Sequence, residues 1–449
     1  MMRRPRGGAS LSAYQGEERM RYALELALSG IHRSKLLSVL IVLAVATGIS
    51  AFATMLMIRI GLGGDPAPSI SQSLYHVELD LRDDAARSSS ARPLSVLSLH
   101  DVQEISRLTG VPSVATSSSW LPYRPVGTDR PLGMIAVRGF TSGAQSLLDL
   151  KLLSGAFWRS DDDQNEARVA VISRSLSREL FGSQSAVGRQ IELATRSFAI
   201  VGVVEDWNPI PRFHDLRGGA YAESERLYIP LAAWRALPKD YGMGAMSCRD
   251  GVPEDPDSPS CAWLQLWVQL NDTQALGTFS SALHRYGLAQ VNSGRATDVF
   301  SRVAPLKEWL AINDVLPDEV STQLWFAAGV LVICLVNAAG LFLAGFVGQS
   351  REIAIRRSLG ATRGDIVRQL AVHSAVLGAA GGLVSIPMAL LGFRVVQDLS
   401  SAYASHLSIA WWYVALCPLI AAMSALLSAS IPLWRASQRF VSLRMGDVS

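Results

Sequence analysis

The sequence predicts an α-helical membrane domain of four transmembrane helices, with a large mixed α/β domain inserted between helices 1 and 2 and lying outside the membrane. Three observations carry this. Four uncharged apolar spans, Leu36–Ile58, Leu324–Val347, Leu370–Phe393 and Ile409–Trp434, each exceed the roughly 20 residues that cross about 30 Å of hydrocarbon. They are unequally spaced, because about 260 residues separate Ile58 from Leu324, enough for an independently folded unit of two small subdomains. Lys and Arg then set the orientation. Arg3, Arg4, Arg6, Arg19, Arg21, Arg33 and Lys35 precede the first span; Arg351, Arg356, Arg357, Arg363 and Arg368 fill the short loop after the second; Arg435, Arg439 and Arg444 follow the fourth. Cationic loops stay on the cytoplasmic side, so both termini and the short loop are cytoplasmic and the large domain is outside.

The elements follow in order. Residues 1–35 form a cytoplasmic N-terminus in which Met20, Ala23, Leu24, Ala27, Leu28 and Ile31 share one helical face, the pattern of an amphipathic helix along the inner leaflet. Residues 36–58 are the first span. Within the outer domain, 59–323, Tyr75–Leu81 alternates as a strand and Leu99–Leu108 is helical. Arg168–Ser173 and Ser197–Val204 read as strands around a helix at Ser175–Phe181, and Leu264–Leu270 with Thr273–Tyr286 supplies another strand and helix. The second span, 324–347, leads into a charged hairpin over 348–369, QSREIAIRRSLGATRGDIVRQ at its centre. Gly360 ends one helical run as a left-handed stop, and Thr362 with Asp365 reads as a capping box opening the next helix. The third span, 370–393, a short outer loop, 394–408, the fourth span, 409–434, and a cytoplasmic tail, 435–449, complete the chain. Asn337 in the second span is costly in lipid and is expected to face another helix. Gly378, Gly381 and Gly382 allow close helix approach, and Pro387 is placed to kink the third span.

The net charge of +3, from 41 Lys and Arg against 38 Asp and Glu, hides a basic excess on the cytoplasmic segments, so a lipid bilayer and no nucleic acid is the expected partner surface. The run before the first span and that span's length argue against a cleaved signal peptide. No GxxxxGK[ST], HExxH, GxSxG or paired CxxC occurs, the seven histidines have no ligand spacing, and neither catalytic nor metal-binding residues are assigned. Asp161, Asp162 and Asp163 lack the later positions of a calcium loop and read as a solvated loop. Cys248 and Cys261 flank a polar stretch outside the membrane. There they would close a short loop as a disulfide or remain two thiols, and spacing alone leaves both open. Cys334 and Cys417 read as membrane packing.

REIAIRRSLGATRGDIVRQL followed by GAAGGLVS resembles the membrane subunits of the macrolide-exporter and FtsX-like ABC transporter superfamily. VRGF, LLSGAFW, ARVAVISRSLSRELFGSQSAVGRQIEL and FAIVGVVEDW resemble that superfamily's periplasmic core domain, in the same order. The resemblance runs from about Ile31 to Arg435 and implies a dimeric permease of the bacterial inner membrane, formed with itself or a sister permease. It implies that ATP-driven closure of a cytoplasmic partner is transmitted through the second span to the periplasmic domain. No nucleotide-binding domain is expected within this chain, so a separate ABC ATPase would bind ATP and Mg, and the chain itself would hold no cofactor. The coupling residues would be Arg351, Glu352, Ile353, Ile355, Arg356, Arg357, Leu359, Gly360 and Thr362: charges for an ATPase surface, apolar side chains for a groove and a glycine for the turn. A periplasmic adaptor and an outer-membrane channel are the further partners expected, with a peptide, antibiotic or similar compound as cargo. Lipoprotein extraction and non-transporting activation of a cell-wall hydrolase are the alternatives. Trp207–Ala262, with WNPIPRFHDLRGG and both outer cysteines, fits no pattern.

Overall fold

The computed structural model describes residues 34–82, 95–127, 133–238, 246–248, 254–348, 354–356, 358–360, 362–399, 417–418 and 420–421. In chain order the principal helices are α1 (Lys35–Gly63), α2 (Leu99–Thr109), α3 (Arg174–Phe181), α4 (Thr273–Asn292), α5 (Asp318–Gly348) and α6 (Arg363–Leu399). The strands are β1 (Leu74–Asp80), β2 (Leu97–Ser98), β3 (Ser113–Pro125), β4 (Gly133–Phe140), β5 (Leu152–Gly155) and β6 (Val169–Ser173). They continue with β7 (Gln190–Leu193), β8 (Arg196–Val204), β9 (Leu227–Pro230), β10 (Ser247–Cys248), β11 (Cys261–Gln269) and β12 (Phe300–Pro305). The chain divides into two compact units, residues 64–316 and the flanking helical segments on either side of them.

In the helical unit, α1, α5 and α6 are each long and apolar enough to cross a membrane, which makes three such helices among the described residues. The N-terminal amphipathic helix expected over Met20–Ile31 lies outside the described residues, and of the fourth expected span only Cys417, Pro418, Ile420 and Ala421 lie within them. Small residues let these helices approach closely, as membrane packing without a hydrophobic driving force requires. A Cβ on Gly48 of α1 would sit 2.9 Å from Cys334 Cβ of α5, and one on Gly381 of α6 would sit 2.9 Å from Val45 of α1. Gly382 is equally tight, since a Cβ there would come 2.6 Å from Pro418 Cα. The Thr54 hydroxyl of α1 donates to the Ala389 carbonyl of α6 at 3.2 Å, which keeps its own polar atom satisfied away from water.

The outer unit is a mixed sheet of twelve strands, with the path β12–β1–β11–β3–β4–β9–β6–β8–β5 and β10, β2 and β7 paired beside it. Its pairs are antiparallel except β4–β9 and β6–β8. Period-two alternation sends neighbouring residues to opposite faces. One face buries Val77, Leu79, Ala115, Val137, Ile172 and Leu266 beneath α2, α3 and α4, which contribute Ile105, Leu176 and Phe279. The other buries Val114, Phe140, Val171, Tyr228 and Trp267 with Phe213 and Trp309. The covering helices begin at side-chain caps that accept orphan backbone N–H groups: Ser98 from Asp101, Ser173 from Leu176 and Asp272 from Ala275.

One reading needs correction. Asp163 is not part of a solvated loop: it lies in a helical turn, Ser160–Gln164, and its carboxylate accepts the backbone N–H groups of Ser142 and Ala232 at 3.1 and 3.2 Å. Two segments remote in sequence are pinned by one carboxylate. Three successive aspartates carry no period, so nothing local distinguishes the one that turns inward.

Candidate functional site

The charged hairpin is built by backbone chemistry. In the last turn of the first arm, the Leu359 N–H donates to the Ile355 carbonyl at 3.2 Å and the Ser358 hydroxyl donates to the same oxygen at 2.6 Å. Gly360 follows at φ 98°, a conformation costly for any residue with a Cβ. Thr362 and Asp365 then form a reciprocal capping box at the start of α6. The Asp365 N–H donates to Thr362 Oγ1 at 3.2 Å, and the Thr362 N–H donates to Asp365 Oδ2 at 3.2 Å. Arg356 spans the turn, donating to Gln369 Oε1 at 3.1 Å, so part of its donor set braces the two arms. Ile355 and Leu359 stand 60% and 82% exposed beside this rigid turn. Arg351, Glu352, Ile353 and Arg357 lie outside the described residues.

The outer unit contains a charged cluster that sequence reasoning missed. Arg138, on β4, is buried, donates to Asp215 Oδ2 at 2.7 Å and to Glu225 Oε1 at 2.5 Å, and also reaches Thr116 Oγ1 and the His214 carbonyl. Arg212 adds a bond to Asp215 Oδ2 at 2.9 Å and one to the Glu223 carbonyl at 2.6 Å. His214 Nε2 lies 3.1 Å from Glu225 Oε2. Burial, reinforced by the Arg138 charge, pushes the His214 imidazole down to about 4, so it is neutral and Nε2 is the donor. Burial would raise the Glu225 carboxyl, but Arg138 and the His214 hydrogen bond outweigh it and hold the group well below the usual carboxylate range. Asp215 is likewise held down by Arg138 and Arg212 against its burial. Two guanidinium ions therefore balance two carboxylates, and the cluster fastens the 212–225 segment onto the sheet. Removing one member strands a buried charge, at a cost of about 3–5 kcal/mol.

A visible signal did exist. VRGF places an arginine in register with Ala136 and Phe140 on an inward face of β4, and RFHD supplies ionisable partners in a segment otherwise rich in turn residues.

The remaining expected sites lie apart from these. Cys248 and Cys261 are joined by a disulfide across the β10–β11 pair, in which the two are directly opposed with Cα atoms 4.0 Å apart. Asn337 is exposed on α5 among the described residues, and most of the fourth expected span lies outside them. No cluster of potential metal ligands occurs among the described residues.

Comparison with known proteins extends both regions. Residues 38–286 match the MacB-like periplasmic core domain, and residues 324–439 match the FtsX-like permease C-terminal domain. The ABC transporter permease YknZ of Bacillus subtilis is 24% identical over 402 residues, covering 87% of this chain and 90% of that protein. The macrolide export ATP-binding/permease protein MacB of Bdellovibrio bacteriovorus is 24% identical over 309 residues, or 67% of this chain and 42% of that one. The pyoverdine export ATP-binding/permease protein PvdT of Pseudomonas syringae is 22% identical over 390 residues, or 86% and 53%. The chain thus spans nine tenths of YknZ and about half or less of the ATP-binding/permease relatives. Among solved structures, the extracellular domain of YknZ matches with a TM-score of 0.33 at 15% identity, covering 49% of this chain and 95% of that domain. The periplasmic region of MacB from Actinobacillus actinomycetemcomitans matches with a TM-score of 0.36 at 15% identity, covering 55% and 94%. An outer core domain followed by a permease domain, together matching most of the chain in that order, makes this protein a member of the MacB-like, FtsX-like family of ABC transporter permeases.

Proposed function

We propose that this chain is the permease subunit of an ATP-driven exporter in the bacterial inner membrane, acting as a dimer with itself or a sister permease. A separate cytoplasmic ABC ATPase binds ATP and Mg and docks on the hairpin. A periplasmic adaptor and outer-membrane channel receive the cargo, a peptide, antibiotic or similar compound taken from the periplasmic side. The observation that carries this reading is the hairpin, where Ile355 and Leu359 are exposed beside a glycine turn and a closed capping box. A loop that only set topology would need its arginines and neither the apolar pair nor the capped geometry. The relatives described as ATP-binding/permease proteins support an ATPase partner, and the export named in their descriptions supports the direction. In the proposed mechanism, ATP-driven closure of two ATPase copies moves the hairpins, and α5, continuous from the hairpin side to the outer domain, carries the displacement outward.

The test is to purify the tagged chain from native membranes and identify its companions by mass spectrometry. Recovery of an ABC ATPase whose turnover in proteoliposomes rises when the permease is present is the expected result. Steady ATP hydrolysis by the isolated chain, or an ATPase indifferent to it, overturns the reading.

A further inference from the structure

A cleft of about 710 Å³ opens on the outer unit, between the β11–β3–β4 face of the sheet and the 212–225 segment. Its size falls within the roughly 300–1,000 Å³ of small-molecule sites. Its floor is a change of chemistry along one sheet face. Val114, Phe140 and Trp267 on that face belong to the apolar core, whereas the next positions are Thr116, Ser118, Gln265 and Arg138. Register places Gln265 opposite Thr116 and Ser118 opposite Arg138, so the polar groups form one continuous patch across three strands. Trp120, opposite Ala136, ends the patch and is 62% exposed.

Three features limit what the cleft can take. The Gln265 side chain is only 6% exposed, yet its amide oxygen has no hydrogen-bond partner among the described residues. Such a group is a standing demand for a donor. The Nε atoms of Arg138 and Arg212, both residues of the lining, are donors in the same condition. The charges of the lining cancel, with Arg138, Arg212 and Arg217 against Asp215, Glu223 and Glu225, so nothing there favours a net charge on the occupant. The aromatic surface is held rigid on one side, where Trp263 stacks on Trp234 with centroids 5.3 Å apart and donates to the Pro256 carbonyl at 3.0 Å.

We propose that this cleft is a binding site for an uncharged, amide-rich compound bearing an aromatic or large apolar group, a short capped or cyclic peptide being the simplest member of the class. Its amide groups meet the Gln265 side chain and the arginines of the lining, and its apolar group lies against Trp120. The wall comes from the Trp207–Ala262 stretch, the part of the outer domain whose sequence fits no pattern, as suits a specificity-bearing loop on a fixed scaffold. The assignment rests on the exporter reading only in identifying the bound compound as cargo; the site itself does not depend on it.

The experiment uses the full chain in lipid nanodiscs and a library of N-acetylated, C-amidated tripeptides. Retained members are identified by mass spectrometry and the strongest is titrated by calorimetry. Retention of neutral tripeptides with one aromatic residue is expected, with acidic or basic analogues at least 10-fold weaker. Gln265→Leu removes an unpartnered buried polar atom and keeps the fold, and should weaken binding at least 10-fold. Trp120→Ala changes an exposed side chain and should weaken binding by a similar factor. No retained neutral tripeptide, a preference for charged ones, or binding unchanged in both variants overturns the proposal; in the last case the peptide sits elsewhere. ATP turnover by the co-purified complex, measured beside binding, separates the two readings: turnover without cleft binding sinks only the cargo site, and cleft binding without a dependent ATPase sinks only the exporter.

Discussion

His76 on β1 is completely buried, stacked 3.7 Å from the Trp309 ring and edge-on to Trp267, and neither ring nitrogen is hydrogen bonded among the described residues. Burial, with the nearby Arg302 charge, pushes its imidazole down to about 3. The unfolded chain, with an ordinary imidazole, takes up its proton first as acid is added. Stability contributed by the neutral ring is therefore complete above the ordinary histidine value and is lost as pH falls through it toward 3, by about 3 kcal/mol between about pH 7 and about pH 4.5. His214, held near 4, adds a loss of the same sign. Glu78, raised by its burial, works in the opposite sense in wild type and variant alike. His76→Phe keeps the stacking and deletes the proton site, so denaturant unfolding followed by tryptophan fluorescence should show a visibly flatter acid slope; an unchanged slope would put the acid sensitivity elsewhere. In the sequence this residue reads only as an ordinary surface or packing histidine, because a lone histidine on an alternating strand has no ligand partner nearby. The Arg138 cluster was not, since its members are contributed by positions 138, 212, 214, 215 and 225 and only tertiary pairing makes their charges tolerable.

At the level of elements, the hairpin turn rests on one backbone conformation. A Cβ on Gly360 would meet no atom within 4 Å, so a substitution there is penalised by its φ of 98° alone. Gly360→Val places a β-branched residue in that region at a cost of about 1 kcal/mol or more, confined to the turn. We expect normal membrane insertion and a several-fold loss of permease-stimulated ATP turnover, partly restored in Gly360→Asn, which tolerates positive φ. Equal stimulation by wild type and Gly360→Val in proteoliposomes would reduce the hairpin to a topological loop. The turn was readable because its signals are local: a glycine stop and a Thr-x-x-Asp box need no distant partner. Strand β1 and helices α2, α3 and α4 were similarly plain, each found within a few residues of its expected place or extended at one end. Strand β3 was not, as SVATSSSWLPYRP has a serine run and two prolines where β-branched residues would advertise a strand. Its identity comes from pairing with β4 along most of its length and with β11 and β7 at its ends, contacts that span up to about 150 residues of sequence.

For the whole molecule, the division into a helical unit and an outer unit follows from the spacing of apolar spans, and the expected orientation from arginine placement. The division is a sum over many residues, which is why it survives in sequence when individual contacts do not. The cargo does not survive in that way, because it depends on a few side chains in a wall segment that no periodicity or motif describes. Orientation is open to a direct test. Ser183 is exposed and follows the glycine that stops α3, so a reporter inserted there leaves the sheet and its caps undisturbed. The seven basic residues before the first span and the five in the hairpin should hold both segments in the cytoplasm, since moving such clusters across the bilayer is strongly opposed. Alkaline phosphatase at Ser183 should accordingly be active and a fluorescent protein there dark, with the reverse pattern for fusions at the N-terminus. Replacing the hairpin arginines with glutamine should weaken this preference without abolishing it, because the N-terminal cluster acts first during insertion. A fluorescent, phosphatase-negative fusion at Ser183 would invert the chain. It would move the hairpin away from any cytoplasmic ATPase and leave Ile355 and Leu359 exposed on the side where no nucleotide-driven partner could use them.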